Sequence, residues 1–252
     1  MKIEKDKKIK DKMVLGESDG LGRTRPDQAA PVDKENPFVY SVITPPKRTG
    51  WLDITLPQAV MERLWKYIDT AKKDPVSYNK RLAGNISSSI LIEDEDNWFS
   101  QNYLSEIIPL YEQAFPDHDG QDPIMTTDGL NHGFRLEPLW ANFMKKHEFN
   151  PPHNHGGLYS FVIFLKIPYS FEEQTKLPHV GGSNSPSAGN FAFSYVANGV
   201  IEYYVYPLST DFEGQMIFFN SQMIHQVYPF YNSDEDRISV AGNISINTSI
   251  RL

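Results

Sequence analysis

The sequence predicts a mainly β protein, a barrel or sandwich flanked by helices on its N-terminal side. Three observations carry this. Helical apolar spacing is confined to the first half of the chain, and short apolar or alternating runs separated by turn residues fill it from Phe134 onward. Between two of those runs stands Asn198-Gly199, a pair that supplies the positive φ angles of a tight hairpin.

Residues 1–36 are charged, carry scattered glycine and proline, and show no sustained apolar period, so they read as a flexible arm. Lys2, Lys5, Lys7, Lys8, Lys10 and Lys12 alternate there with acids, which makes a solvated tail rather than an anion-binding surface. Residues 37–252 are then one domain. Phe38 to Ile43 alternates as a strand until Pro45-Pro46 stops it. Helical support spans about 55–116: Val60, Met61, Leu64, Trp65 and Ile68 recur at helical spacing after Thr55 and Pro57, and a second helix runs from about Asn97 to Phe115, kinked or split at Pro109. Asn85 to Ile92 is a strand between them. Further strands are expected at Leu139–Met144, Tyr159–Ile167, Ala192–Val196, Ile201–Tyr206, Gln215–Phe219, Ile224–Tyr228 and Ile238–Ile246. The polar, Gly/Ser/Pro-rich residues 169–189 read as a mobile loop over a site, where selectivity would reside.

Composition excludes several functions. A formal charge of -8 opposes sequence-independent nucleic-acid binding. The absence of cysteine removes disulfides, thiolate metal sites and cysteine nucleophiles, so any metal is held by nitrogen and oxygen. No secretory signal and no bilayer-spanning apolar run are visible, which places the chain in a cytoplasm, away from membranes.

The chemistry gathers at Pro151-Pro152-His153-Asn154-His155-Gly156-Gly157. Two histidines one residue apart share a face in extended chain, as two ligands of one metal must. His-x-His also occurs in exposed loops, but here the prolines stiffen one side, the glycines leave room on the other, and an apolar strand follows. His225 sits at the start of a later strand, read either as a core histidine or as a third ligand. Three neutral imidazoles on one face suit Fe(II), and also Zn(II) or Cu(II). Beyond His225, Arg237 and its same-face neighbour Ser239 offer a guanidinium fork and a hydroxyl for a carboxylate; the alternative is an arginine paired on the surface with Asp234, Glu235 or Asp236.

His153-x-His155, distant His225 and Arg237-x-Ser239 resemble the 2-oxoglutarate- and Fe(II)-dependent oxygenases. The stretch from Trp140-Ala141-Asn142 to Pro168 is similar to a branch, common in marine phages and bacteria, that carries His-x-His in place of His-x-Asp. The resemblance implies a double-stranded β-helix, a jelly-roll or cupin-like barrel, over about 134–248. It implies Fe(II) held by His153, His155 and His225, with the far carboxylate of 2-oxoglutarate held by Arg237 and Ser239. It also implies a dioxygenase that hydroxylates a substrate, a small molecule, a protein side chain or a nucleobase being the candidates, and releases succinate and CO2. The departure is the missing carboxylate at position 155, where His155 itself, Glu148 or water is the candidate. Two other readings stay open. One is a three-histidine cupin-type metalloenzyme without 2-oxoglutarate; the other is a structural or carbohydrate-binding module with Tyr159, Tyr195, Tyr203 and Tyr204 as a sugar platform.

Overall fold

Alternation along the strands decides the architecture. In the computed structural model, which describes residues 50–115, 133–197 and 199–246, eleven strands form two antiparallel sheets. The larger holds β1 (Trp51–Thr55), β9 (Gln215–Asn220), β6 (Tyr159–Lys166), β11 (Arg237–Ile246), β4 (Leu139–Met144) and β2 (Ser88–Ile92) in that order, with β3 (Phe134–Leu136) paired to β11. The smaller runs β5 (Asn150–His153), β10 (Ile224–Val227), β7 (Phe191–Ala197), β8 (Val200–Tyr206). From β4 to β11 the chain shuttles between the sheets so that every pairing is antiparallel, the arrangement of a double-stranded β-helix.

Each strand of the larger sheet has two different faces. Phe161, Ile163, Phe218 and Val240 pack with Val60, Leu64 and Ile68 of α1 (Gln58–Ala71) and Ile107, Ile108 and Tyr111 of α2 (Ser105–Ala114). Phe164, Ile217 and Phe219, one residue out of step, join Phe191, Phe193 and Val227 of the smaller sheet. Burying such an aromatic side chain contributes on the order of 2–3 kcal/mol, so this two-sided pattern fixes the register. Gly242 is the one place on β11 where a side chain would not fit, since a Cβ there would lie 2.7 Å from both Leu139 and Phe161.

Several expectations are met and others are corrected. The β7–β8 hairpin closes at Ala197↔Val200 around Gly199, whose φ is +80°. The second helix is interrupted before Ser105, by a π turn over Ser100–Leu104, and not at Pro109. Near a helix start a proline deprives a single carbonyl, and the helix passes through it. β1, β3 and β5 were not expected; Pro151 and Pro152 fit β5 because it is an edge strand. The loop 169–189 contains α3 (Phe171–Thr175), capped by Ser170 Oγ accepting from Glu173 N, and is tied down through Tyr169, which donates to Gly189 O at 2.6 Å. The sugar platform does not assemble: Tyr159 is buried on the helix side, Tyr203 and Tyr204 face opposite ways, and Tyr204 meets Trp51 edge-on. The arm, the Phe38–Ile43 strand, His118 and His132 lie outside the described residues.

Candidate metal centre and anion site

β5 and β10 pair antiparallel with His153 directly opposite His225, which sets these two rings 4.3 Å apart between centroids. His155 arrives differently from the expected strand alternation, because β5 ends at His153. Its loop is pinned to the turn after β9: His155 N donates to Ser221 O at 2.8 Å, and Gln222 Nε2 donates to His155 O at 3.1 Å. Gly157 allows the loop to reach β6, for with φ at +92° a Cβ would sit 2.7 Å from Ile244 O. The three rings converge, and their ligand atoms lie within 4.8 Å of one another.

Hydrogen bonds orient the rings. His153 Nδ1 donates to Pro151 O at 2.7 Å and His225 Nδ1 to Met223 O at 3.0 Å, so in each of these rings Nε2 carries the lone pair. Burial disfavours the charged form of all three imidazoles. It lowers the His153 pKa, takes His155 down to about 4 with help from His153, and pushes His225 well below its ordinary value, where His153 and His155 add to the effect. His155 Nε2 and His225 Nε2 are 3.2 Å apart. Two nitrogens bound to one cation at about 2.1 Å stand roughly 3.0–3.4 Å from each other, so this pair has the spacing of two ligands of a first-row divalent metal.

Geometry argues against one alternative for position 155, Glu148. Glu148 is occupied as a backbone clamp, accepting from Ser87 N and Lys145 N at 2.9 Å each. Among the described residues the three histidines are the only ligand-type cluster, and no carboxylate joins it. His147 and His179 instead meet the ring of Tyr231.

The triad opens onto a cavity of about 200 Å³ that Arg237 and Ser239 also line. Arg237 is 3% exposed, and two of the three neighbouring acids are engaged elsewhere, Asp234 with Lys146 at 2.6 Å and Glu235 with Lys166. The guanidinium donates to Tyr169 Oη at 3.3 Å and Met144 Sδ at 2.8 Å, while Nε has no partner. A buried permanent cation among neutral groups is a receptor for an anion.

Residues 138–243 match the model of the family described as "Putative 2OG-Fe(II) oxygenase". Over that stretch the chain is similar to the 2-oxoglutarate/Fe(II) oxygenases. Solved oxygenases are similar to this chain at low identity. A Pseudomonas putida prolyl-4-hydroxylase is 16% identical, with a TM-score of 0.45 over 79% of this chain and 93% of that one. A viral collagen prolyl hydroxylase from Paramecium bursaria Chlorella virus-1 is 13% identical, TM-score 0.45, over 79% and 96%. HygX from Streptomyces hygroscopicus, solved with nickel, 2-oxoglutarate and hygromycin B, is 12% identical, TM-score 0.41, over 80% and 84%. Among curated proteins none matches.

Residues missed at the sequence level also line the cavity. They are Asn142 and Ser89 on its wall, and the segment from Asn79 to Gly84, including the exposed Arg81. No residue of 169–189 lines it, contrary to expectation. Asn142 carried a signal, being the one polar residue within Leu139–Met144. The Asn79–Gly84 segment carried none. Among the described residues no helix is long and apolar enough to cross a membrane.

Proposed function

We propose that this protein is an Fe(II)- and 2-oxoglutarate-dependent oxygenase that hydroxylates a small molecule or a protein side chain and releases succinate and CO2. One observation supports this reading above others: a neutral three-nitrogen set and a buried guanidinium free of acids face the same cavity. His153, His155 and His225 would hold Fe(II); Arg237 and Ser239 would hold the far carboxylate of 2-oxoglutarate. When bound, metal and cosubstrate supply the O2-derived oxidant that attacks a substrate C–H bond.

The chain's own contribution is geometric and electrostatic. Neutral ligands leave the cation's double charge uncancelled, and Arg237 adds a positive charge at the other end. A dianion spanning the cavity offsets both. Ser239 supplies a hydroxyl beside the guanidinium, and apolar Phe164, Phe191 and Val227 exclude water, which strengthens these attractions. The Asn79–Gly84 segment is where substrate selectivity is to be sought. A three-histidine enzyme without 2-oxoglutarate is favoured by the histidine at 155, yet it leaves Arg237 without a task.

The test is succinate formation from 2-oxoglutarate with Fe(II), ascorbate and air. Succinate is expected above the metal-free control and is lost in Arg237→Met. Absence of both succinate and 2-oxoglutarate binding in the wild type contradicts the proposal.

A further inference from the structure

We infer that Asn142 is a third donor to the carboxylate held by Arg237 and Ser239, and that Ser89 positions it from a strand outside the family-matched segment. This rests on the function proposed above. In β4 the side chains of Trp140, Asn142 and Met144 share the cavity face, and β11 sets Ala241, Ser239 and Arg237 opposite them in that order. Trp140 stands at the histidine end, its ring 6.0 Å from that of His155, while Met144 touches the guanidinium. The Ser239–Asn142 pair therefore lies between the two ends. A molecule reaching from Arg237 to the histidines passes it.

The orientation of the amide is fixed from the other side. β2 sets Ser89 opposite Asn142, and Ser89 Oγ donates to Asn142 Oδ1 at 2.7 Å, with Ser89 1% and Asn142 8% exposed. Ser89 is held in turn by its N–H, which donates to Asn79 Oδ1 at 2.9 Å, and Asn79 Nδ2 donates to Ile86 O at 2.6 Å. With Oδ1 occupied, Nδ2 is the free end of the amide. It has no protein acceptor among the described residues, and Asn142 lines the cavity. A nearly buried NH2 group without an acceptor, beside a serine and an arginine, suits a carboxylate oxygen. β2 lies outside residues 138–243, so the support comes from this chain's own N-terminal part.

The experiment is calorimetric titration of N-oxalylglycine, a non-decarboxylating mimic of 2-oxoglutarate, into Mn(II)-loaded protein, with Mn(II) affinity measured separately. Asn142→Ala is expected to weaken N-oxalylglycine about 10- to 100-fold, as for loss of a hydrogen bond to a charged group, with Mn(II) affinity unchanged. Asn142→Asp, of the same size but anionic, weakens it further. Ser89→Ala weakens it less, Ser89→Thr restores it, and Ser89→Ala has no added effect in the Asn142→Ala background, the signature of a residue acting through another. Ser89→Ala removes a single oxygen and carries the test if Asn142→Ala does not fold. Wild-type affinity in either alanine variant overturns the inference while leaving the proposed function standing. Failure of the wild type to bind N-oxalylglycine overturns both.

Discussion

At one end of the cavity burial, complete at His225 and partial at His153 and His155, disfavours the charged form of three imidazoles; at the other a guanidinium is buried with no ion-pair partner among the described residues. The difference lies in what each group can do about a low-dielectric environment. An imidazole sheds its proton and becomes a ligand. A guanidinium cannot, so it becomes a receptor. The two ends also belong to different sheets, His153 and His225 to the smaller and Arg237 to the larger, so sheet-on-sheet packing sets the distance between them.

The largest effect should come from the histidine end. His225→Ala removes a buried imidazole of the proposed triad, and specific Fe(II) or Mn(II) affinity should fall by more than about 100-fold, beyond what losing a ligand's outer hydrogen bond costs. Equilibrium dialysis measures it, and Arg237→Met should leave that affinity intact. Equal losses in both variants would break the distinction between the ends.

Next comes Arg237→Met. N-oxalylglycine binding to the metal-loaded protein should weaken by about 30- to 1000-fold, as when one partner of a buried charge pair is truncated. Urea denaturation of the metal-free variant should show stability unchanged or raised by about 1–4 kcal/mol, because an uncompensated buried charge is replaced by an apolar side chain of similar volume. Tyr169 keeps its bond to Gly189 O, so no donor is orphaned. A clear loss of stability would mean that Arg237 is a structural residue.

A smaller effect concerns acid. Each imidazole has a folded pKa below its unfolded value near 6.5, so from there down to about 4, the His155 value, the unfolded chain binds protons that the folded chain does not. Stability of the metal-free protein should therefore be full above pH 6.5 and decline as pH falls through that window. His225→Ala should make the decline shallower, and urea midpoints across the range test it.

The smallest effect is expected for His155→Asp, which restores the carboxylate pattern. Metal binding should persist, and N-oxalylglycine affinity should drop by about tenfold at most, since a less positive centre faces the dianion. Loss of metal binding would show that the loop tolerates only an imidazole.

The larger part of the fold was legible because its signals are local. The Val60, Leu64, Ile68 spacing gave α1, and short apolar or alternating runs gave β2, β4, β6, β9 and β11 of the larger sheet, whose two faces meet different apolar clusters. The histidines were legible as residue types and the convergence of His155 was not, because a loop pinned to Ser221 and Gln222 brings it there and nothing in the chain near His155 announces that contact. β5 was hidden by its prolines. The burial of Arg237 was equally invisible, since three acids precede it in sequence and two of them turn to lysines instead. The involvement of Ser89 and Asn79 depends on pairing between distant strands, and short-range pattern contains no trace of it.

The central claim is that one dianionic ligand joins the metal end to the arginine end. Titration of N-oxalylglycine into the wild-type protein with and without Mn(II), and into Mn(II)-loaded Arg237→Met, tests it directly. Tight binding that needs both the metal and Arg237 is predicted; binding that survives in Arg237→Met, or that ignores the metal, would contradict the account.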